Sequence, residues 1–307
     1  MHNLRHLGYV VEAARLGSIT GASQTLRVSQ PAISAAIRAA EDEFGVRLFV
    51  RNPSRGLALT PSGRSFVNRA RELLENARTF ENLFDETGED GLTGRLEIAC
   101  YASPAPLLLP PVIQSFASRH PGVEFGLHEG HMEQVAQYLK DGTADLGLTY
   151  DIVPDNEIEH DLVARLAPFA VMSADNPLVR KRRLSLTDLV DEPLILLDSP
   201  GFREYFFTYF GMYGLKPRVL HRPTTYEMVR GLLAAGNGYS FALVKIKNAR
   251  SYDDRPLVNV PLAETPPLVN LVIASLKGYS QSRVARAFAD ECKRRLKRVA
   301  TGSGARK

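Results

Sequence analysis

Apolar residues recur at helical spacing from the start of the chain. Leu4, Leu7, Val10, Val11 and Ala14 share one stripe, and Gly17 and Ser18 break it. A short second helix fits Thr20 to Leu26, with Ala22 and Leu26 facing inward. Arg27 and Val28 make a turn, and Ser29 is placed to cap a third helix. Pro31 falls in that helix's first turn, where a missing N–H costs nothing. Ile33, Ala36, Ile37, Ala40 and Phe44 form its apolar stripe, and Gly45 stops it. Two strand-like pieces follow, RLFVR and GLALT, joined by the turn NPSR. This predicts a helix-turn-helix with a hairpin wing.

From Thr60 and Pro61 the period lengthens. Phe66, Ala70, Leu73, Ala77, Phe80 and Phe84 are separated by alternating steps of four and three, a heptad seam. A helix from Pro61 to Thr87 would be about 40 Å long. A seam of that length beside a small domain predicts pairing with a second copy; the alternative is packing on its own chain. Gly88 to Gly94 reads as a linker. Beyond it strands and helices alternate. RLEIAC, VEFGLHEG, DLGLTY, FAVMSA, LILLD, PRVLHR, YSFALV and LVNLVIAS are strand candidates. The helix candidates are Pro104 to Arg119, His131 to Lys140, Phe202 to Tyr213, Thr225 to Ala235 and Ser282 to Val299. The pattern predicts an α/β body of about 200 residues with one or two mostly parallel sheets.

The third helix shows Gln30, Pro31, Ser34, Ala35, Arg38 and Asp42 on its outer side. Small residues at its N-terminal end let the backbone enter a major groove deeply. Gln30 and Ser34 carry groups that bond base edges, and Arg38 reaches a base or the backbone. Arg51 and Arg55 on the wing suit phosphate or the minor groove. Glu41, Asp42 and Glu43 sit at the far end, off the DNA. A plain helical subdomain with a solvated face is the alternative.

Composition alters this picture little. Of 307 residues, 44% are hydrophobic and 23% charged, ordinary values for a globular chain. The net charge of +4 is smaller than the +5 carried by residues 290–307 alone (seven bases against two acids), so global charge says little about nucleic acid. The first 60 residues are more telling: seven arginines and no lysine. Arginine suits forked contacts with phosphate and guanine. Cys100 and Cys292 lack metal-ligand spacing and read as two free thiols, with a redox sensor as the alternative. No metal motif, hydrolase elbow, phosphate loop or cofactor fingerprint is present. No run approaches the roughly 20 apolar residues of a membrane span. Glu12 and Arg15 interrupt any secretory core, so a cytoplasmic protein is expected.

The stretches GSITGASQTLRVSQPAIS and IRAAEDEFGVRLFVRNPSRGLALTPSG resemble the N-terminal domain of LysR-type transcriptional regulators. The likeness continues through APLLLPPVIQSFASRHPGVEF, DGTADLGLTYD, LTDLVDEPLILLD and VRGLLAAGNGYS. It implies a winged helix-turn-helix over 1–60, a dimerisation helix over 61–88 and a regulatory domain over 89–307. That domain has two Rossmann-like lobes like those of periplasmic solute-binding proteins, lobe I over about 94–163 and 266–307, lobe II over about 164–265. The resemblance also implies a homodimer or homotetramer on double-stranded promoter DNA, with RNA polymerase as a further partner and no cofactor. DNA-facing positions carried over are Gln30, Pro31, Ser34 and Ala35, with wing Arg51 and Arg55; Arg27, Ser29 and Arg38 complete the expected DNA-binding set. Ala35 and Ala40 are smaller than the residues common in the family, which leaves the operator open.

The family's effectors bind between the lobes. Matching positions here are Ser103, His131 and Thr149 in one lobe, and Ser199, Pro200, Arg203, Thr225 and Tyr226 in the other. Three helix N-termini and an arginine facing one cleft favour a small carboxylate, with Tyr226 able to stack on a ring. Ser103 and Ser199 acting only as helix caps is the plainer reading. A solute-binding protein without DNA function, or an enzyme with an attached DNA-binding domain, are the competing classes. The first needs an export signal and the second a catalytic constellation.

Overall fold

A computed structural model describes residues 3–52, 56–82, 92–246, 249–279 and 281–301. Helix α1 (Leu4–Leu16) starts where Asn3 Oδ1 accepts the Arg5 N–H at 2.9 Å. Helix α2 (Ile19–Leu26) is capped by Ser18, whose Oγ accepts the Gly21 N–H at 3.1 Å. Helix α3 (Gln30–Phe44) begins on Ser29 Oγ, which accepts the Ala32 N–H at 3.4 Å. The wing is an antiparallel pair, β1 (Phe49–Asn52) and β2 (Gly56–Leu59), in register from Phe49↔Leu59 to Asn52↔Gly56. Arg55 in the wing's turn lies outside the described residues, and so does the side chain of Arg51.

Val10, Ala13, Ala22, Ile33, Ala36, Ile37, Leu48 and Val67 bury together in one N-terminal core. Burial of each isoleucine contributes about 1.5–3 kcal/mol. Phe44 departs from the expected stripe. It is 51% exposed and its ring meets Phe66 edge-on at 5.4 Å. It sits in the last turn of α3, where the chain is already leaving the core. Glu41 ties α3 to the wing, because its Oε1 accepts the N–H groups of Leu48 and Phe49 at 2.8 and 3.3 Å.

Helix α4 (Pro61–Asn82) is started by Thr60, whose Oγ1 accepts the Gly63 N–H at 2.9 Å. Val67 is buried in the N-terminal core and Ala70 is buried too, while Leu73 is 48% exposed. The Phe80 side chain and Phe84 lie outside the described residues.

The C-terminal body opens with β3 (Thr93–Tyr101), α5 (Ala105–Arg119), β4 (Gly122–Gly130), α6 (Met132–Lys140), β5 (Leu146–Tyr150) and β6 (Ile158–Leu166). The second lobe then runs through β7 (Phe169–Ser173), α7 (Leu186–Leu189), β8 (Leu194–Ile195), α8 (Phe202–Gly211), β9 (Val219–His221), α9 (Tyr226–Ala234), β10 (Tyr239–Ala242) and β11 (Leu257–Pro261). The chain returns to the first lobe with β12 (Val269–Leu276) and α10 (Arg283–Thr301). The two five-stranded sheets are ordered β4-β3-β5-β12-β6 and β11-β7-β10-β8-β9.

Both sheets are mixed rather than mostly parallel. Strand β3 is parallel to β4 and β5, but β12 runs antiparallel to β5 and β6. Strand β7 is antiparallel to β10 and β11, while β8 is parallel to β9 and β10. The antiparallel members arise where the chain crosses between lobes and enters the next sheet from the opposite end. Strands β6 and β11, which the pattern did not announce, flank those crossings.

The N-terminal unit rests on one end of the first lobe. Arg15 approaches Glu97 at 3.8 Å, and Arg64 approaches Asp141 at 3.9 Å. Gly142 lets α4 come close: a Cβ there would stand 2.6 Å from both the Arg71 guanidinium and Asn68 Oδ1, at a φ of +66°. Glu97 is 7% exposed; it accepts from Arg95 Nε at 2.6 Å and pairs with His128 Nε2 at 2.9 Å. Burial raises the pKa of its carboxyl, but Arg95 and His128 outweigh this and hold it below the ordinary value.

Candidate functional site

Two surfaces follow from this arrangement. The first is the outer face of α3. Its apolar side is committed to the N-terminal core, which leaves Gln30, Pro31, Ala35 and Arg38 exposed and Ser34 half-buried. Arg27 and Ser29 are exposed just ahead of it. These side chains form one continuous strip at the helix's N-terminal end, the end that enters a groove in helix-turn-helix proteins. Asp42 and Glu43 lie at the opposite end.

The second is the seam between the lobes. Ser103, Leu107 and Tyr150 from one lobe face Tyr226, Phe241 and Leu243 from the other around a space of about 20 Å³. That is room for little more than one water. Beside it, Gly201 packs against the first lobe: a Cβ there would lie 2.6 Å from Val153 and 3.2 Å from Met132, at a φ of +78°. Tyr101 and Ser199 are 2% and 1% exposed, and their hydroxyls lie near each other without a well-formed hydrogen bond among the described residues. Burial raises the pKa of the Tyr101 phenol, partly offset by the nearby Ser199 hydroxyl. Burial likewise raises the pKa values of Tyr150 and Tyr226.

The expected effector residues are thus divided. Ser103 and Tyr226 meet across the seam, with Ser199 buried nearby and Pro200 half-buried beside Gly201. His131 heads α6, and its N–H donates to Gln134 Oε1 at 2.8 Å. Thr225 caps α9, accepting the Met228 N–H at 3.3 Å. Arg203 is already committed, donating to Asp198 at 2.7 Å and to Glu204 at 2.7 Å. Glu204 also accepts the Gly201 N–H at 2.7 Å, so it occupies the start of α8 itself. Thr149 faces a separate cavity beneath α6. Tyr150 in the seam and Tyr101 next to it were not foreseen. The signal was present, since each is a tyrosine at the carboxyl end of a parallel strand, where α/β sheets bind ligands.

No helix among the described residues is long and apolar enough to cross a membrane. No group of three or more His, Cys, Asp or Glu among them is placed to hold a metal. Cys100 and Cys292 are buried, which pushes their thiols up to about 11 and about 12. At neutral pH both stay protonated and are poor nucleophiles.

A winged helix-turn-helix carried on a helix from a two-lobed body defines a ligand-responsive DNA-binding regulator. Comparison with known proteins gives its family. A model of the LysR substrate binding domain matches residues 89–297, and one of the lysR-family bacterial regulatory helix-turn-helix protein matches residues 4–64. HinK from Pseudomonas aeruginosa, a LysR family transcriptional regulator, is 34% identical with a TM-score of 0.64, over 98% of this chain and 100% of that one. The transcriptional regulator BenM from Acinetobacter baylyi is 28% identical over 282 residues, 88% of this chain and 89% of BenM. A full-length OxyR from Pseudomonas aeruginosa shares the fold, with a TM-score of 0.77 at 23% identity over 100% of this chain and 99% of that one. The chain belongs to the LysR family of transcriptional regulators. It binds DNA through its helix-turn-helix, carries an effector-binding domain, and is not an enzyme.

Proposed function

We propose that this regulator reads promoter DNA with Gln30, Ser34 and Arg38 of α3, and is switched by a small oxyanion bound between the lobes. Arg27, Ser29, Pro31, Ala35 and the wing arginines Arg51 and Arg55 position the helix on the duplex. The exposed part of α4 pairs with a second copy, so that two reading heads face successive major grooves; two such dimers join on longer sites. The protein works in the cytoplasm, with RNA polymerase as its partner at the promoter.

One observation supports the effector reading: a nearly closed seam lined by Ser103, Tyr150 and Tyr226 from the two lobes, with the hydroxyls of Tyr101 and Ser199 buried near it without well-formed hydrogen bonds among the described residues. A partnerless buried hydroxyl costs about 1–3 kcal/mol, so a ligand that satisfies it gains that much. Arg203 is spent on Asp198 and Glu204. The anion's charge is therefore met by the backbone at the starts of α5 and α6, with Ser103, Ser199 and Tyr101. A small carboxylate has the right oxygens, and Tyr226 lies beside it.

The size of the seam supplies the switch. Nothing larger than water fits without moving the lobes, so a bound effector selects a more open arrangement. Lobe I touches α1 and α4 through Glu97, Asp141 and Gly142, and the motion reaches the reading heads. A differential affinity of about 1–3 kcal/mol would suffice.

Calorimetric titration with a panel of small carboxylates tests the site. Ser103→Ala and Ser199→Ala should each weaken binding about tenfold, and Arg203→Ala should leave it nearly unchanged. Equal affinities for all three variants and the wild type would refute the assignment. Footprinting on the gene's upstream DNA, with and without the bound carboxylate, tests the switch; an unchanged footprint and bend would refute it.

A further inference from the structure

Beneath α6 lies a second cavity, of about 240 Å³. A dry cavity of about 150 Å³ is enough to hold benzene. The inner face of α6 forms one wall with Val135 and Ala136; the sheet forms the other with Thr149 and Ala274, and Val153 closes one end. Val135, Ala136, Val153 and Ala274 are apolar and Thr149 sits among them, while Gln137, Tyr150, His160 and charged side chains line the rest of the cavity. Thr149 is 4% exposed, and its hydroxyl has no hydrogen-bond partner among the described residues.

The charges around the cavity decide what it can take. Lys140 lines it, but its ammonium already sits 2.8 Å from Asp155 and 3.7 Å from Glu157. Asp155 and Glu133 line it as well, together with Gln137 and His160. An entering carboxylate would find a cation already neutralised and two acids beside it. A neutral molecule meets no such penalty. It fills apolar space and needs one polar group to satisfy Thr149.

We infer that this cavity is a second ligand site, distinct from the seam between the lobes, for a neutral single-ring molecule bearing one hydroxyl, such as a phenol. The ring would lie between Ala136 and Ala274 with its hydroxyl on Thr149 Oγ1. Tyr150 lines both this cavity and the interlobe seam. Its ring stands edge-on to Tyr101 at 5.6 Å, and the Tyr101 hydroxyl neighbours Ser199 of the other lobe. A molecule in the cavity therefore presses on the wall of the effector seam, and the two sites are linked through Tyr150.

The test uses the full-length protein and two probes, phenol and benzene, in calorimetric titrations. Phenol should saturate one site per chain. Thr149→Val keeps the shape and removes the hydroxyl; it should weaken phenol about tenfold and leave benzene unchanged or tighter. Ala136→Met fills the space and should abolish binding of both. Ser103→Ala, in the seam, should change neither. The inference is overturned by the absence of saturable phenol binding, by phenol affinities equal in wild type and Thr149→Val, or by loss of phenol binding in Ser103→Ala. Melting curves check that each variant is folded; should Ala136→Met fail to fold, the phenol-to-benzene comparison in Thr149→Val decides alone. The interlobe effector reading stands or falls separately, on the carboxylate titrations.

Discussion

Arg27 holds two roles that can be separated. It closes α2 in the left-handed region, at a φ of 54°, and it is exposed beside the start of α3. A residue with a Cβ costs about 1–2 kcal/mol in that conformation, and glycine avoids the cost. Arg27→Gly should therefore raise stability by about 1 kcal/mol in urea unfolding. It should also weaken promoter binding and reduce the salt dependence of that binding by about one phosphate contact. Retained affinity with an unchanged salt slope would remove Arg27 from the interface. Glu291 shows the same economy in the effector domain. It is 3% exposed and joins α10 to α5 through Arg295 at 2.5 Å, Ser115 at 3.0 Å and Arg119 at 2.7 Å. Burial pushes its carboxyl up, but these donors prevail and lower it to about 2 from an ordinary 4.5. A depressed carboxyl contributes stability above its unfolded pKa and loses it as pH falls through the folded one. Glu291→Gln should cost about 1.5–3 kcal/mol at neutral pH. It should also flatten the fall in stability between pH 4.5 and 2, measured by denaturant melts across that range.

Helix α4 shows how far an element can be read from its pattern. The heptad positions Phe66, Ala70 and Leu73 are one stripe in sequence, but the structure assigns them to different neighbours. The first turns close the winged domain, where Phe66 and Val67 pack on its core; Ala70 is buried outside that core, and Leu73 stands 48% exposed. Periodicity reports which side of a helix is apolar and is silent on what covers it. Leu73→Glu should leave folding within about 0.5 kcal/mol, as surface changes do, and shift the protein toward monomer in sedimentation velocity. A dimer that persists at micromolar concentration would place the pairing face elsewhere. The same limit explains the other outcomes. The winged domain was legible because its caps, its proline and its glycine stops act within a few residues of each helix end. Strand β6 was not: Glu159 to Leu162 are all exposed, so no alternation marks it, and its partner β12 lies about 100 residues away. Arg203 looked like an anion receptor on its position alone. Its neutralisation by Asp198 and Glu204 was written in the segment DSPGFREYF, five residues before and one after. Thr149 follows from strand geometry. Side chains alternate between faces, and β5 turns Thr149 toward α6.

At the scale of the whole molecule the question is how a seam in one domain moves a helix in another. The joint is the group of charges between α1, α4 and lobe I. Its visible pairs are long, 3.8 Å for Arg15 to Glu97 and 3.9 Å for Arg64 to Asp141. Partly exposed pairs of this kind contribute at most about 1 kcal/mol each. Arg71 stands within the group, where burial lowers its pKa and Asp145 and Glu97 oppose that lowering. Such a joint is firm enough to set the orientation of the reading head and weak enough to yield to an effector worth about 1–3 kcal/mol. It follows that Arg71→Gln, which keeps most of the length and removes the charge, should loosen the joint without unfolding either domain. Spin labels placed by Gln24→Cys on α2 and Glu159→Cys on lobe I report the distance between them. The native thiols are buried and stay unlabelled. The original charge set should give one narrow distance distribution, and Arg71→Gln a broad one with unchanged melting of the winged domain. A distribution equally narrow in both would mean that the linker backbone, not this cluster of charges, fixes the reading head against the lobe.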